Sequence, residues 1–315
     1  MTFLLVAKES IKEFYTKFQY PVEVAFRMLV TFLMLLSINA KIGYMPALQN
    51  IPLLLLVSVV CGFLTPAIIV MVEFVFIIAN LYSLSMEVSA VAFIIILIIS
   101  LLFIRFSRKS ILLLAIVPIA FFLKIQYIVP LIVGIFMLPS ATFSMACGVL
   151  IYSMMNVASM NAVAIRGLKN SQFFEKINIF LEGITSDKNL YLYLFSFIVV
   201  SLIVYAMKKS AVDYAFAIAI SFGAISNMIL LLLGDLLYNI DVNLFLAIIS
   251  MVISAVIVYV MHFFYLGIDY KRVERVQFED DEYYYYVKAV PKMNISATSK
   301  TVKQISSKTQ KNIKK

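Results

Sequence analysis

The sequence predicts an all-α, polytopic helical membrane protein of about 8–10 transmembrane segments, in two degenerate tandem blocks plus a final hairpin, with a short cytoplasmic tail suited to a β-hairpin. Three observations lead there. Of 315 residues, 63% are hydrophobic and 14% charged, against roughly 45–50% and 25% in soluble domains. Most segments are apolar all round, so they lack the polar face that a soluble helical bundle needs. The formal net charge of +9 gathers in the loops and the C-terminal tail, which is the positive-inside pattern. No module pairing aromatic and basic residues for nucleic acid is visible.

Residues 1–20 read as an amphipathic helix lying on the membrane surface. Leu4, Ala7, Ile11, Phe14 and Phe18 recur at helical spacing on one side, with Lys8, Glu9, Lys12, Glu13 and Lys17 on the other. The apolar opening is too short for a cleavable signal peptide, and its charges follow it instead of preceding it. The first transmembrane block, residues 22–110, opens with a span carrying Glu23 and Arg27 one turn apart, expected to neutralise each other near the cytoplasmic interface.

Residues 51–82 then read as two apolar half-helices with a break containing Gly62 and Pro66, and with one acid, Glu73. Neither half comfortably spans a bilayer alone, because a straight crossing needs about 20 residues. Breaks in hydrocarbon are tolerated only beside protein or water. A clean span over residues 90–104 stops at Arg105, Arg108 and Lys109.

The second block, residues 111–210, repeats this order. Its first segment contains Pro118, and Lys124-Ile125-Gln126-Tyr127 echoes Lys41-Ile42-Gly43-Tyr44. A second interrupted helix over residues 128–156 is broken at Gly134 and Pro139. A polar insertion, residues 158–188, is expected on the extracytoplasmic side, with Phe173, Phe174, Ile177, Phe180 and Leu181 sharing one face of a short helix. The next span ends in Lys208-Lys209-Ser210, as the first block ends in Arg108-Lys109-Ser110. The final transmembrane hairpin occupies residues 211–267, with Asp235 and Asp241 at its turn. Cys61 and Cys147 each precede a glycine in an apolar run and read as small packing residues; His262 reads as a packed or interfacial histidine.

Residues 268–293 form the cytoplasmic hairpin-like segment. Strands over residues 275–278 and 283–290 are joined by an acidic turn, and the four consecutive tyrosines read as structural aromatics and not as phosphorylation sites. The run from Val276 to Val290, VQFEDDEYYYYVKAV, resembles the ending of a family of uncharacterised multi-pass membrane proteins from anaerobic Gram-positive bacteria. That resemblance implies a bacterial plasma-membrane location and brings no activity with it. Residues 294–315, rich in lysine and small polar residues, read as a disordered basic tail able to touch anionic lipid.

Helices broken by glycine and proline in repeated blocks are how several transporter folds line a site near the midplane. The expected function is therefore a permease or transport-complex subunit, with Glu73, Asn80 and Asn227 as substrate-path candidates and Gly62, Pro66, Gly134 and Pro139 as the helix breaks. The competing function is a scaffold that recruits a cytoplasmic partner through its distinctive tail. Expected partners are membrane lipids, other membrane-complex subunits and that cytoplasmic protein, with no nucleic acid. No phosphate loop, catalytic spacing or metal-ligand cluster occurs, so no enzyme activity, metal or cofactor is expected. Positive charge places both termini in the cytoplasm.

Overall fold

The computed structural model describes residues 2–106, 110–168, 172–210, 214–238, 243–265, 274–279 and 284–289. The basic tail, residues 294–315, and the charged positions Arg108, Lys109 and Asp241 lie outside these. The protein is a polytopic helical membrane protein. Among the described residues, six stretches are long and apolar enough to cross a bilayer: α2 (Gln19–Ile42), α4 (Pro66–Leu84), α8 (Ala141–Met160), Phe173–Lys208, which contains α10 (Phe173–Thr185) and α11 (Lys188–Lys208), α12 (Ala215–Tyr238) and α13 (Leu244–Tyr265). Large apolar side chains such as Leu56, Val75, Ile225, Phe245 and Val256 stay exposed on these helices and their neighbours, as lipid, and not water, permits.

Shorter helices fill the gaps: α3 (Ile51–Gly62), α6 (Leu113–Phe122), α7 (Ile128–Phe136) and α9 (Ala162–Gly167), beside the longer α5 (Met86–Phe106). At about 1.5 Å per residue, α3, α6 and α7 reach only about 13–18 Å, short of a hydrocarbon core of about 30 Å. Side-chain contacts fix the direction of each. The Arg27 guanidinium donates to the Leu64 carbonyl, so α3 and α4 meet beside the start of α2. Ser83 Oγ donates to the Tyr44 carbonyl, so α4 returns to the far end of α2. Residues 51–82 are thus a splayed helical hairpin in which both arms pack on α2, and not one interrupted span. Pro66 is the first residue of α4, a position where its missing N–H costs nothing.

The second short pair behaves differently. Phe121, at the end of α6, stacks on Tyr152 of α8 with ring centroids 4.0 Å apart. Phe136, at the end of α7, meets Tyr265 of α13 at 5.0 Å. α6 and α7 therefore enter from the end bearing Lys208 and turn back short of the opposite end, with Leu123 and Lys124 exposed at the turn. The tip carries Lys124, left-handed at φ 58°, and the Ile125 N–H donates to the Ala120 carbonyl at 2.9 Å, closing the helix C-terminus. Ser250 Oγ of α13 donates to the Lys124 carbonyl at 2.6 Å. Since Ser250 lies six residues into α13, the tip sits about 9 Å below the opposite end of the bundle.

Ten helices, α2 to α8 and α11 to α13, so alternate in direction. The C-terminal ends of α5, α11 and α13 and the start of α2 share one end, here the Lys208 end; Lys41, the insertion and the α12–α13 turn share the other, the Lys41 end. The order of elements recurs between residues 22–110 and 111–210, and both Lys-Ile-x-Tyr runs follow a first helix. The packing does not recur: α3 lies on α2, whereas its counterpart α7 lies on α11.

Two clusters of buried side chains form the core. One joins α2, α4, α5, α6 and α8; the other joins α6, α7, α8, α11, α12 and α13. α6 and α8 belong to both, and α8 is the most buried of the long helices. Several hydroxyls in the bundle bond back to their own helix, as Thr31 to Arg27 and Ser254 to Ser250, which keeps their polarity from lipid.

Within the insertion, α10 turns a different face inward from the one its phenylalanines predict. Lys176 and Phe180 are buried while Phe173, Phe174 and Leu181 are exposed. The reason is an ion pair: Lys176 Nζ lies 3.3 Å from Glu87 Oε1 at the start of α5, and Ser85 donates to the same carboxylate. Gly183 adds close contact with Val157 of α8.

α1 (Thr2–Lys17) and the tail hairpin belong to a unit separate from residues 18–265. Ile11 and Phe14 of α1 are exposed. In the tail, β1 (Glu274–Glu279) and β2 (Tyr284–Ala289) pair antiparallel, with Val276 opposite Val287 and Phe278 opposite Tyr285. Tyr283, Val290 and the acidic turn lie outside the described residues.

Glycines hold helices close. A Cβ on Gly134 would meet Val204 Cβ at 2.6 Å and the Ser201 carbonyl oxygen at 2.9 Å, whereas Gly167 has open space. Gly134→Ala is expected to destabilise the bundle by about 1–3 kcal/mol, the usual range for overpacking, and Gly167→Ala to leave it unchanged. Thermal unfolding of both variants in detergent micelles checks this; equal midpoints would show that α7 and α11 can move apart freely.

Candidate functional site

The three substrate-path candidates do not converge. Glu73 is 1% exposed in the first core, and its Oε1 has no hydrogen-bond partner. Arg27 pairs with Glu23 at 3.3 Å instead, so the first span neutralises its own charges. Asn80 is structural: its Oδ1 accepts from the Met45 N–H at 3.2 Å and its Nδ2 donates to the Phe76 carbonyl at 2.9 Å, fastening the α2–α3 connection to α4. Asn227 is buried in α12 between Gly223, which faces Val204, and Gly234, which faces Leu192. Neither of its side-chain polar atoms has a partner. That face packs on α11, in the second core.

Of the four helix-break residues, two are contact points. Gly62 closes α3 against Met28, and Gly134 lies inside α7 against α11. The breaks themselves fall at Thr65-Pro66 and around Pro139, whose carbonyl accepts from the Thr142 N–H at 3.1 Å.

Polar groups concentrate elsewhere, between α8 and α11. At the Lys41 end, a cavity of 140 Å³ is lined by Tyr152, Ser153, Asn156, Asp187, Asn189 and Tyr193 over Val149 and Leu190. Asp187 is the N-cap of α11, accepting from the Asn189 N–H at 3.1 Å, and it also accepts from Ser153 Oγ at 2.9 Å. Lys41, in the last turn of α2, donates to Asn156 Oδ1 at 2.9 Å. Tyr44 follows it, with its hydroxyl 3.4 Å from the Ala158 carbonyl and the Arg166 guanidinium 4.8 Å from its ring centroid. Burial pushes the Tyr44 phenol above its ordinary pKa, opposed by Ser159 and Arg166, so it is a neutral donor at physiological pH.

Beneath the cavity lies an aromatic floor. Phe121 contacts Tyr152, Tyr193 and Phe197, and Tyr127 contacts Phe197. Tyr152 and Tyr193, which line the cavity, thus rest on Phe121 at the end of α6. Below the floor, Thr142 Oγ1 and Ser201 Oγ are buried 3.3 Å apart. At the Lys208 end, Lys208 Nζ donates to the Ile135 and Met137 carbonyls at 2.7 and 3.3 Å, capping α7. Residues 193, 197 and 201 share one face of α11 and residues 142, 149, 153 and 156 one face of α8, by their helical spacing. The seam between the two helices is thus polar, then aromatic, then polar along its length.

Sequence reasoning passed over this seam. Its signal was available: α8 is the least apolar of the six long stretches and gathers Thr142, Ser144, Ser153 and Asn156. Asp187 and Lys41 lie at helix ends, where a charge normally reads as an interfacial anchor.

Two outcomes follow. Lys208→Met leaves two helix-end carbonyls without their donor and is expected to cost about 1–3 kcal/mol, with Lys208→Arg retaining most of the stability; chemical or thermal unfolding in micelles measures it, and no loss in Lys208→Met would show that α7 needs no cap. Glu73→Leu, which removes a buried carboxyl group lacking a partner on one oxygen, is expected to raise the unfolding midpoint, by about 1–3 kcal/mol in free energy. A lowered midpoint would mean that the carboxyl has a stabilising partner.

Comparison with protein-family models, with curated proteins and with solved structures finds no match to this chain.

Proposed function

We propose that the protein is a permease, or the membrane subunit of a transport complex, whose solute path follows the α8–α11 seam. The observation that carries this reading is the seam itself: a polar cavity at one end, the aromatic floor resting on Phe121 at the end of α6, and the buried Thr142–Ser201 pair beyond it. Non-helical backbone at membrane depth is tolerated where protein or water surrounds it; at the hairpin tip Tyr127 is buried and the Lys124 carbonyl is bonded by Ser250, while Leu123 and Lys124 are exposed. The aromatic cluster then acts as the barrier between two access states, as broken or short helices do in alternating-access transporters.

With Arg105, Lys208 and Lys209 at one end, the positive-inside bias puts that end in the cytoplasm and the cavity outside. Both termini are then cytoplasmic, the membrane is a bacterial plasma membrane by the resemblance of the tail, and solute enters from the extracytoplasmic side. Membrane lipids and further complex subunits meet the exposed faces of α12 and α13.

A second reading, a scaffold recruiting a cytoplasmic protein, draws on the tail hairpin. Two strands alone are marginally stable, so this pair calls for a surface to pack on, and a partner at the tail supplies one.

Thiol labelling separates the readings. In a chain with Cys61→Ala and Cys147→Ala, Ser153→Cys should react with a membrane-impermeant thiosulfonate added outside sealed cells. Ser201→Cys should react from at least one side, and the lipid-facing Val252→Cys from neither. Ser201→Cys inert from both sides would remove the path and leave anchoring.

A further inference from the structure

The cavity at the Lys41 end has a carboxylate, Asp187, in its wall, and an ammonium, Lys41 of α2, bonded to that wall through Asn156; the two charges do not neutralise each other. Ion pairs join Glu23 to Arg27 and Glu87 to Lys176. Lys41 and Asp187 form none together. They are linked instead through α8: Lys41 holds Asn156 and Asp187 holds Ser153. Ser153 and Asn156 are three residues apart, hence neighbours on one helix face. An ammonium and a carboxylate therefore bracket a single turn of α8, the carboxylate in the wall of the small cavity and the ammonium behind Asn156, which lines it.

Both groups have bonding capacity to spare. An ammonium has three donors, and one is used, on Asn156. A carboxylate offers about four acceptor sites, and two are used, by Ser153 Oγ and the Asn189 N–H. The Lys41 ammonium also stands 5.4 Å from the Tyr152 ring centroid, which orients it along the cavity wall. The remaining lining is apolar or aromatic: Val149, Leu190, Tyr152 and Tyr193. The 140 Å³ available falls well below the roughly 300 Å³ at which pockets for drug-sized ligands begin, which excludes nucleotides, disaccharides and peptides of several residues.

We infer that this cavity binds a small zwitterion, a solute with an ammonium and a carboxylate a few atoms apart, of which an amino acid with a short side chain is the type. Its ammonium meets Asp187, its carboxylate meets Lys41 and Asn156, and its side chain lies over Val149, Leu190 and the tyrosine rings. A simple anion leaves Asp187 unanswered beside it, and a simple cation leaves Lys41 so, which is how a site selects by repelling the wrong charge as well as by attracting the right one. This assignment deepens the permease reading and rests on it for the direction of travel, though the binding itself depends only on the cavity.

The test uses the full-length protein in nanodiscs and equilibrium binding by calorimetry, with L-alanine as the zwitterion and propionate and ethylammonium as its one-charge counterparts. Saturable alanine binding is expected, with each counterpart at least about tenfold weaker. Asp187→Asn keeps a good N-cap residue on α11, so the helix survives while the carboxylate is lost; it and Lys41→Gln should each weaken alanine binding at least about tenfold, and Lys188→Gln, whose ammonium is held by the Tyr238 carbonyl and not by a lining residue, should not. Absence of saturable alanine binding, binding of propionate or ethylammonium as tight as alanine, or indifference to both Asp187→Asn and Lys41→Gln overturns the assignment. If that happens while Ser201→Cys still labels, the ligand class is wrong and the path stands; if both fail, the permease reading falls with it.

Discussion

Everything in this bundle depends on the contact between α6 and α8. A Cβ on Gly148 would meet Val117 Cβ at 2.7 Å and the Leu113 carbonyl oxygen at 3.1 Å, so the two backbones approach as closely as a glycine allows. In hydrocarbon there is no hydrophobic force between helices, and association comes from van der Waals packing and small residues that permit it. Because α6 and α8 contribute to both core clusters, that approach joins the half built on α2, α4 and α5 to the half built on α7, α11, α12 and α13. α6 is ten residues long, too short to hold a place in a membrane by itself; its position is set by α8.

The same contact explains why a helix can end short of the far side of the bundle. With α6 fixed along α8, the chain turns at Lys124, where the left-handed φ and the Ser250 hydrogen bond satisfy groups that lipid could not. Tyr127, Tyr152 and Tyr193 surround the tip with rings that bring hydroxyls into an apolar setting. Polar groups buried this way are costly unless answered, and most here are answered by one another or by backbone. Exceptions are Ser37 Oγ, Asn39 Oδ1, Glu73 Oε1 and both side-chain polar atoms of Asn227, none of them on α8 or α11.

Much of the architecture was legible from composition and charge. Apolar runs located α2, α4, α5, α8, α11, α12 and α13, and the basic stops after α5 and α11 mark the ends that share one side. The β-propensity of the tyrosine run located the tail strands to within about a residue, the usual uncertainty at element ends. What was not legible depends on packing partners. Gly62 reads as a break because glycine weakens a helix, yet it closes α3 against Met28. Phe173, Phe174 and Phe180 read as one face of α10, yet Phe180 is buried with Lys176 while Phe173 and Phe174 are exposed, because Lys176 is drawn inward to Glu87 on α5. Lys41 and Asp187 each read as an ordinary end charge; only the fold brings residues 156 and 187 to one cavity and Lys41 onto Asn156. Pairings that distant in sequence leave no periodic trace.

The divergence between the two blocks gives a last step. In the first, the short helix α3 lies on the outside of α2 with Leu55, Leu56, Val59 and Val60 exposed, and its break is capped by a self-neutralising pair, Glu23–Arg27. In the second, the short helix α7 is buried almost throughout, and its end is capped by Lys208 reaching across from α11. A short helix facing lipid can do no more than fill space, because any polar group it exposed would meet acyl chains. A short helix enclosed by protein leaves backbone ends and side chains that neighbouring helices can line with polar groups. The first block is thus built as a wall and the second as a seam, and the acid at Glu73, conspicuous in sequence because it is alone, lies in the wall for the same reason that the less conspicuous Asp187 lies at the seam: a buried group acquires a role from what surrounds it, and Asp187 has Ser153, Asn189 and a cavity where Glu73 has packed side chains.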